Sequence, residues 1–120
     1  MMRHIAATGV VSTLARGQSI EQILPFRMEA QLRIIRFLRI DREPDRMVSV
    51  TCFEVLDEGS ENFLDVYEFT PLDPDLPYGQ TEKFETADAA LAYAESKFGA
   101  SLEKYVNSGV IQDEYRDSLS

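Results

Sequence analysis

Apolar and polar side chains alternate strictly from Phe26 to Ile34, with Phe26, Met28, Ala30, Leu32 and Ile34 falling between Arg27, Glu29, Gln31 and Arg33. A period of two is that of a strand with one face buried. The residue types pull the other way, because Met, Glu, Ala, Gln, Leu and Arg are all good helix formers. Placed at about 100° per residue, however, the apolar members of 26–40 scatter around the whole helix and define no stripe. The pattern predicts an extended element over 26–40 with an irregularity near Ile34 and Ile35, with helix as the competing reading.

Downstream the signals sharpen. Residues 41–46, Asp-Arg-Glu-Pro-Asp-Arg, read as a polar turn. Met47 to Leu56 carries Val48, Val50, Thr51, Cys52, Phe53 and Val55, a β-branched and aromatic run that predicts a strand. The turn formers of 57–62 follow, and Phe63, Leu64, Val66, Tyr67 and Phe69 then predict a second strand, so that 47–70 reads as a β-hairpin. Prolines 71, 74 and 77 are spaced by three, as in a polyproline helix, but their acidic neighbours Asp73 and Asp75 favour a structural loop over a peptide ligand. A short strand is expected near Phe84.

Thr86 then offers an N-cap, Asp88 complements the first turn, and Gly99 supplies a left-handed stop, which together predict a helix over 87–98. Its Ala87, Ala90, Leu91, Ala94 and Phe98 lie on one side. A shorter helical stretch is expected after Ser101, using Leu102, Tyr105 and Val106. Ile111, Tyr115 and Leu119 have the spacing of a further helix, fraying being the alternative. Toward the start, Ser19 is read as the cap of a helical turn over Ile20 to Leu24, ended by Pro25, and residues 1–18 as a mobile segment or peripheral strand. These elements define one domain over 1–120 of the α+β class. It is expected to be a small antiparallel β-sheet with one main helix and shorter C-terminal helical segments packed on one face.

Composition narrows the setting. A chain of 120 residues is long enough for one independent core, and 44% hydrophobic with 28% charged residues is ordinary for a globular protein. No apolar run approaches the roughly 20 residues needed to span a bilayer, so a soluble protein is expected, without a membrane partner. The single Cys52 cannot form an internal disulfide, which makes a reducing cytoplasm the default. The apolar stretch from Ile5 to Ala15 is broken by Thr8, Gly9, Ser12 and Thr13, a poor core for a targeting peptide.

Charge divides the chain. Residues 1–46 hold eight Arg, no Lys and five acids, a net of +3, whereas residues 47–120 hold four basic and sixteen acidic residues, a net of −12, giving −9 overall. A sequence pI of about 4.5 argues against nonspecific nucleic-acid binding. The arginine segment is the local exception. Arg33, Arg36 and Arg39 recur every third residue and Arg42 follows, so these four are the candidate partner-binding residues, facing an acidic surface or a second copy of the chain. The competing reading is a solvated edge of an element whose apolar members are Ile34, Ile35, Phe37, Leu38 and Ile40.

The remaining chemistry excludes more than it assigns. Cys52 and His4 are the only residues of their kinds, which leaves no tetrahedral zinc set from these ligands, and Cys52 reads as a buried inert thiol. The six glycines are isolated, so no phosphate-binding loop or dinucleotide fingerprint is present. Asp57, Glu58, Ser60, Glu61 and Asn62 do not follow the ordered calcium-loop pattern. Gly79-Gln80, Phe84-Glu85-Thr86, the alanine-rich helix and Lys104-Tyr105 resemble the end of WGR-type nucleic-acid-associated domains, but the chain has no Trp, and no function or residue is carried over. The sequence therefore predicts a non-catalytic protein-interaction or regulatory module that self-associates or binds a protein partner through its arginines, with no cofactor, no metal and no catalytic set. The alternative is a small-ligand-binding protein or minor enzyme whose pocket gathers Tyr67, Glu68 and Tyr93.

Overall fold

The computed structural model describes residues 3–76 and 79–119. The proline loop reaches residues 77 and 78, so its third proline, Pro77, lies outside the described residues. The elements in chain order are α1 (Val10–Ala15), β1 (Ile20–Ile23), β2 (Arg27–Glu29), β3 (Leu32–Arg42), β4 (Val48–Leu56), β5 (Gln80–Phe84), α2 (Ala87–Phe98), β6 (Val106–Asn107) and α3 (Ile111–Ser118). All strand pairs are antiparallel and the sheet runs β5-β4-β3-β1-β6, with β2 also paired to β3. The α+β class with an antiparallel sheet is thus the architecture found. No helix among the described residues is long and apolar enough to cross a membrane.

Two apolar layers sandwich the sheet. Side chains alternate along a strand, so Leu38 and Ile40 of β3 point to the face covered by α1 and α2, the front, where they join Val10, Leu14, Val50 and Ala94. Ile35 and Phe37 point to the back, where Val66, Phe69, Ile111 and Tyr115 cover them. The C-terminal helix α3 therefore packs on the face opposite the main helix. The main helix follows its sequence signals: Thr86 Oγ1 accepts from Ala89 N at 3.1 Å, and Gly99 has φ 73°.

Several elements depart from expectation. Residues 20–24 are strand, not a helical turn, because Ile20 and Gln22 pair with Ile40 and Leu38 and gain a ladder that a single turn of helix lacks. The segment 1–18 contains α1, whose Val10, Thr13 and Leu14 are buried, and Arg3 and His4 both bond Glu114 of α3 at 2.6 Å. The stretch after Ser101 is a turn leading into β6, not helix. The partners of β4 are β3 and β5, and residues 63–70 form no strand beside it, bonding to its end only where Leu56 N donates to the carbonyl of Thr70 at 2.9 Å. That segment instead forms a 3-10 turn over Val66–Glu68, started by Asp65, whose side chain accepts from Tyr67 N.

Residues 26–40 are extended, as the alternation predicts, but the chain reverses within them. Ala30 and Gln31 have φ of 50° and 68°, and they join Glu29 to its cross-strand partner Leu32. Positive φ at both central residues is the mark of a type I′ hairpin turn. A second irregularity lies between β1 and β2. Ile23 opposes Phe37 and Arg27 opposes Ile34, so Leu24, Pro25 and Phe26 face only Ile35 and Arg36. This is a β-bulge holding a proline, a residue that a regular ladder would not accept there. Thus β1 and β2 are two parts of one bent strand. β6 pairs with its first part at Ile20 and Glu21, and among the described residues no strand pairs with the outer side of β2.

Candidate functional site

The four candidate arginines do not form one surface. With a period of two along β3, Arg33 and Arg39 point to the back of the sheet and Arg36 and Arg42 to the front. Each guanidinium also has a partner inside the molecule. Arg33 lies 3.4 Å from Asp57 and 3.7 Å from the centre of the Phe26 ring. Arg36 is 3.6 Å from Glu54, and Arg42 donates to the carbonyl of Ala15 at 2.5 Å. Arg39 donates to both oxygens of Asp41 at 3.1 and 3.2 Å and lies 3.6 Å from Glu21. The arginine spacing therefore reports bracing of a long central strand from both faces.

The proposed pocket triad is likewise separated. Tyr93 sits on α2, packed in front against Phe84 and Phe98 at 4.8 and 5.8 Å between ring centres. Tyr67 and Glu68 lie at the back, on the rim of a cleft of about 420 Å³ floored by Phe37, Phe53 and Phe69. Phe37 and Phe53 are stacked cross-strand neighbours, 4.7 Å apart, and Tyr67 meets Phe37 edge-on.

The most completely bonded polar group at the back is one the sequence did not single out. Glu21, on β1, has no solvent exposure. Its register places it opposite Arg39, and Tyr67 Oη donates to its two oxygens at 2.6 and 2.7 Å while Gly109 N donates to Oε1 at 2.9 Å. Ser19 donates to Asp41, extending the network toward the sheet end. Burial, reinforced by the bond to Glu21 and by its charge, pushes the Tyr67 phenol well above its ordinary pKa. Burial opposes the charge on Arg39, yet the bonds to Asp41 and the charges of Asp41 and Glu21 outweigh it and raise its pKa. Charges and protons here are held in place. The carboxylate cannot meet a substrate and the phenol resists giving up its proton, so the network fastens the 66–68 turn and the 107–109 turn to the sheet.

Cys52 is buried on the front of β4, and burial pushes its thiol up to about 11 despite the opposing charge of Arg36. An acid whose pKa rises on folding stabilises the fold below its unfolded value and loses that contribution as pH climbs through the folded value. Stability is therefore expected to decline from about pH 9 to about pH 11 through Cys52, and Tyr67, Tyr105 and Tyr115, all pushed up by burial, add to the decline at the alkaline end. The check is the urea midpoint at about pH 8 and about pH 10.5; equal midpoints would contradict it. Among the described residues, no group of three or more His, Cys, Asp or Glu could hold a metal ion.

Of the eight large apolar side chains exposed among the described residues, three lie on the β2–β3 hairpin, Met28 and Phe26 toward the back of the sheet and Leu32 toward the front. Met28 is 65% exposed, Leu32 52% and Phe26 37%. All of β2 is exposed, and its outer side carries no strand among the described residues. Comparison with family models, curated proteins and solved structures returned no match.

Proposed function

We infer that the protein is a non-catalytic interaction or regulatory module whose docking surface is the β2–β3 hairpin. The observation that carries this reading is a strand edge left unpaired among the described residues, bearing exposed Met28 with Phe26 on the same face and Leu32 on the other. An open edge offers backbone donors and acceptors to an added strand, and apolar side chains on it supply the area that makes such addition favourable. The arginines, expected from sequence to face the partner, act in this reading mainly as internal braces, with only Arg27 at the edge itself. The pocket alternative has weaker support, since Tyr67 and Glu68 line a cleft on the back of the sheet while Tyr93 packs on the front.

A photoreactive benzoylphenylalanine replacing Met28 tests the surface in cells expressing the chain. A discrete protein adduct is expected at position 28 and none at Ala92, an exposed position of α2. Equal labelling at the two positions, or none at 28, would remove the hairpin as a docking surface.

A further inference from the structure

We propose that the partner of β2 is β2 of a second copy of this chain, paired antiparallel about a two-fold axis through Met28, so that the two sheets join into one. The proposal rests on the hairpin reading above and names its occupant.

The direction of the backbone groups comes first. In a hairpin closed by a two-residue turn, the residues flanking the turn exchange both of their hydrogen bonds, so Glu29 and Leu32 form such a pair. Alternation then directs the N–H and C=O of Arg27 inward, toward β3, and those of Met28 outward. Antiparallel pairing of two identical strands requires a residue on the two-fold axis or an axis between residues. With Met28 on the axis, its outward N–H and C=O meet the same groups of the second copy, which closes a reciprocal pair of bonds.

Charge then selects the partner. In that register Arg27 stands opposite the second copy's Glu29, and Glu29 opposite the second copy's Arg27. The short strand is Arg-Met-Glu, a sequence that becomes its own complement when reversed. Arg27 and Glu29 lie on one face, as their 3.3 Å contact within the chain shows, so both new ion pairs form side by side there. On the other face Met28 meets its copy, flanked by Phe26, whose ring is held by Arg33 at 3.7 Å. An isologous contact of this kind closes on itself and leaves no growing edge at β2. The bulge at Pro25 on one side and the Ala30–Gln31 turn on the other limit its length, which sets a pair that exchanges reversibly and a surface smaller than the roughly 1,000 Å² of a lasting interface.

Native mass by light scattering across a concentration series is the test, with circular dichroism to verify that each variant is folded. The unaltered chain should pass from monomer to dimer, and salt should favour the monomer by screening the paired charges. Arg27→Glu and Glu29→Arg each place like charges opposite one another twice, by symmetry, and should weaken the dimer by roughly tenfold. Combining R27E with E29R restores opposite charges and should recover the dimer, whereas a role of Arg27 confined to its contact with Glu54, which the swap does not restore, would leave the double variant as weak as R27E. Met28→Pro removes the outward N–H while leaving the bonds to β3, and should abolish pairing. A dimer indifferent to all four variants lies elsewhere on the molecule and overturns the proposal. A chain that stays monomeric at every concentration, yet forms an adduct with a different protein from position 28, overturns self-pairing and leaves the docking surface standing.

Discussion

Replacing Glu21 with Ala is expected to cost about 3–5 kcal/mol, the range for breaking a buried charge network by removing one partner. The loss has three parts. Tyr67 Oη and Gly109 N each lose their acceptor, the enclosed Glu21 carboxylate, and Arg39 keeps only Asp41 to balance its charge. Leaving a buried donor unsatisfied costs about 1–3 kcal/mol, and bonds to a charged group lie toward the upper end. A domain of this kind is stabilised by roughly 5–15 kcal/mol in total, so the variant sits close to unfolding. Tyr67→Phe should cost less, about 1.5–3 kcal/mol, because Gly109 and Arg39 still hold the carboxylate. The two losses should also be non-additive: once Glu21 is gone, removing the tyrosine hydroxyl deletes a group that no longer has its partner. Urea denaturation of the two single variants and the double variant measures this directly. A change under about 1 kcal/mol for E21A would show that the carboxylate is not held as described.

The same network shows where reading the chain from its sequence stops. Glu21 lies in Ile20-Glu21-Gln22-Ile23, with no local mark of its role, and its partners are 46 and 88 positions away. By contrast, α2 was legible because its cap, its alanine face and its stop are all local, and β4 because its β-branched run is continuous. The β2–β3 hairpin was half legible. Its turn uses Ala30 and Gln31 in place of the glycine or asparagine that announces positive φ. Alternation also runs through the turn unbroken, although the faces do not. Since Arg27 pairs with Ile34 and Met28 with Arg33, the even-numbered residues before the turn share a face with the odd-numbered ones after it. One apparent strand pattern was two half patterns pointing in opposite directions.

Residues 63–70 misled for a different reason. Phe63, Phe69 and Tyr115 stack edge-to-face at 5.1 and 5.3 Å, so the apolar run covers the back of the sheet from a loop that bonds to β4 only at its end, through Thr70. Apolar composition reports burial, and burial beneath a helix and a turn satisfies it as well as burial in a strand. The arginine spacing also reads differently once the strand is in view. A repeat of three on a strand sends successive side chains to opposite faces, which suits a central strand that needs a counter-charge on each side.

That back layer contains the second large effect, at Gly59. An added Cβ there would stand 2.2 Å from Tyr115 Oη and 2.6 Å from the Phe69 ring, distances that require something to move. Neither ring is free to do so. Phe69 and Tyr115 are buried against each other, and the Tyr115 hydroxyl donates to Asp57, whose other oxygen faces Arg33. Gly59→Ala should therefore cost about 2–4 kcal/mol, combining the usual penalty of overpacking with a weakened phenol–carboxylate bond. The corresponding fall in Tm is roughly 10 °C or more for a domain of this size. Gly99→Ala is the contrast: nothing lies within 4 Å of its would-be Cβ, and only the left-handed backbone objects, at about 1 kcal/mol. Thermal melts followed by circular dichroism rank the two. In the G59A background, Tyr115→Phe should cost less than it does alone, because it removes the atom that the new methyl group strikes first; equal costs in both backgrounds would place the methyl group elsewhere.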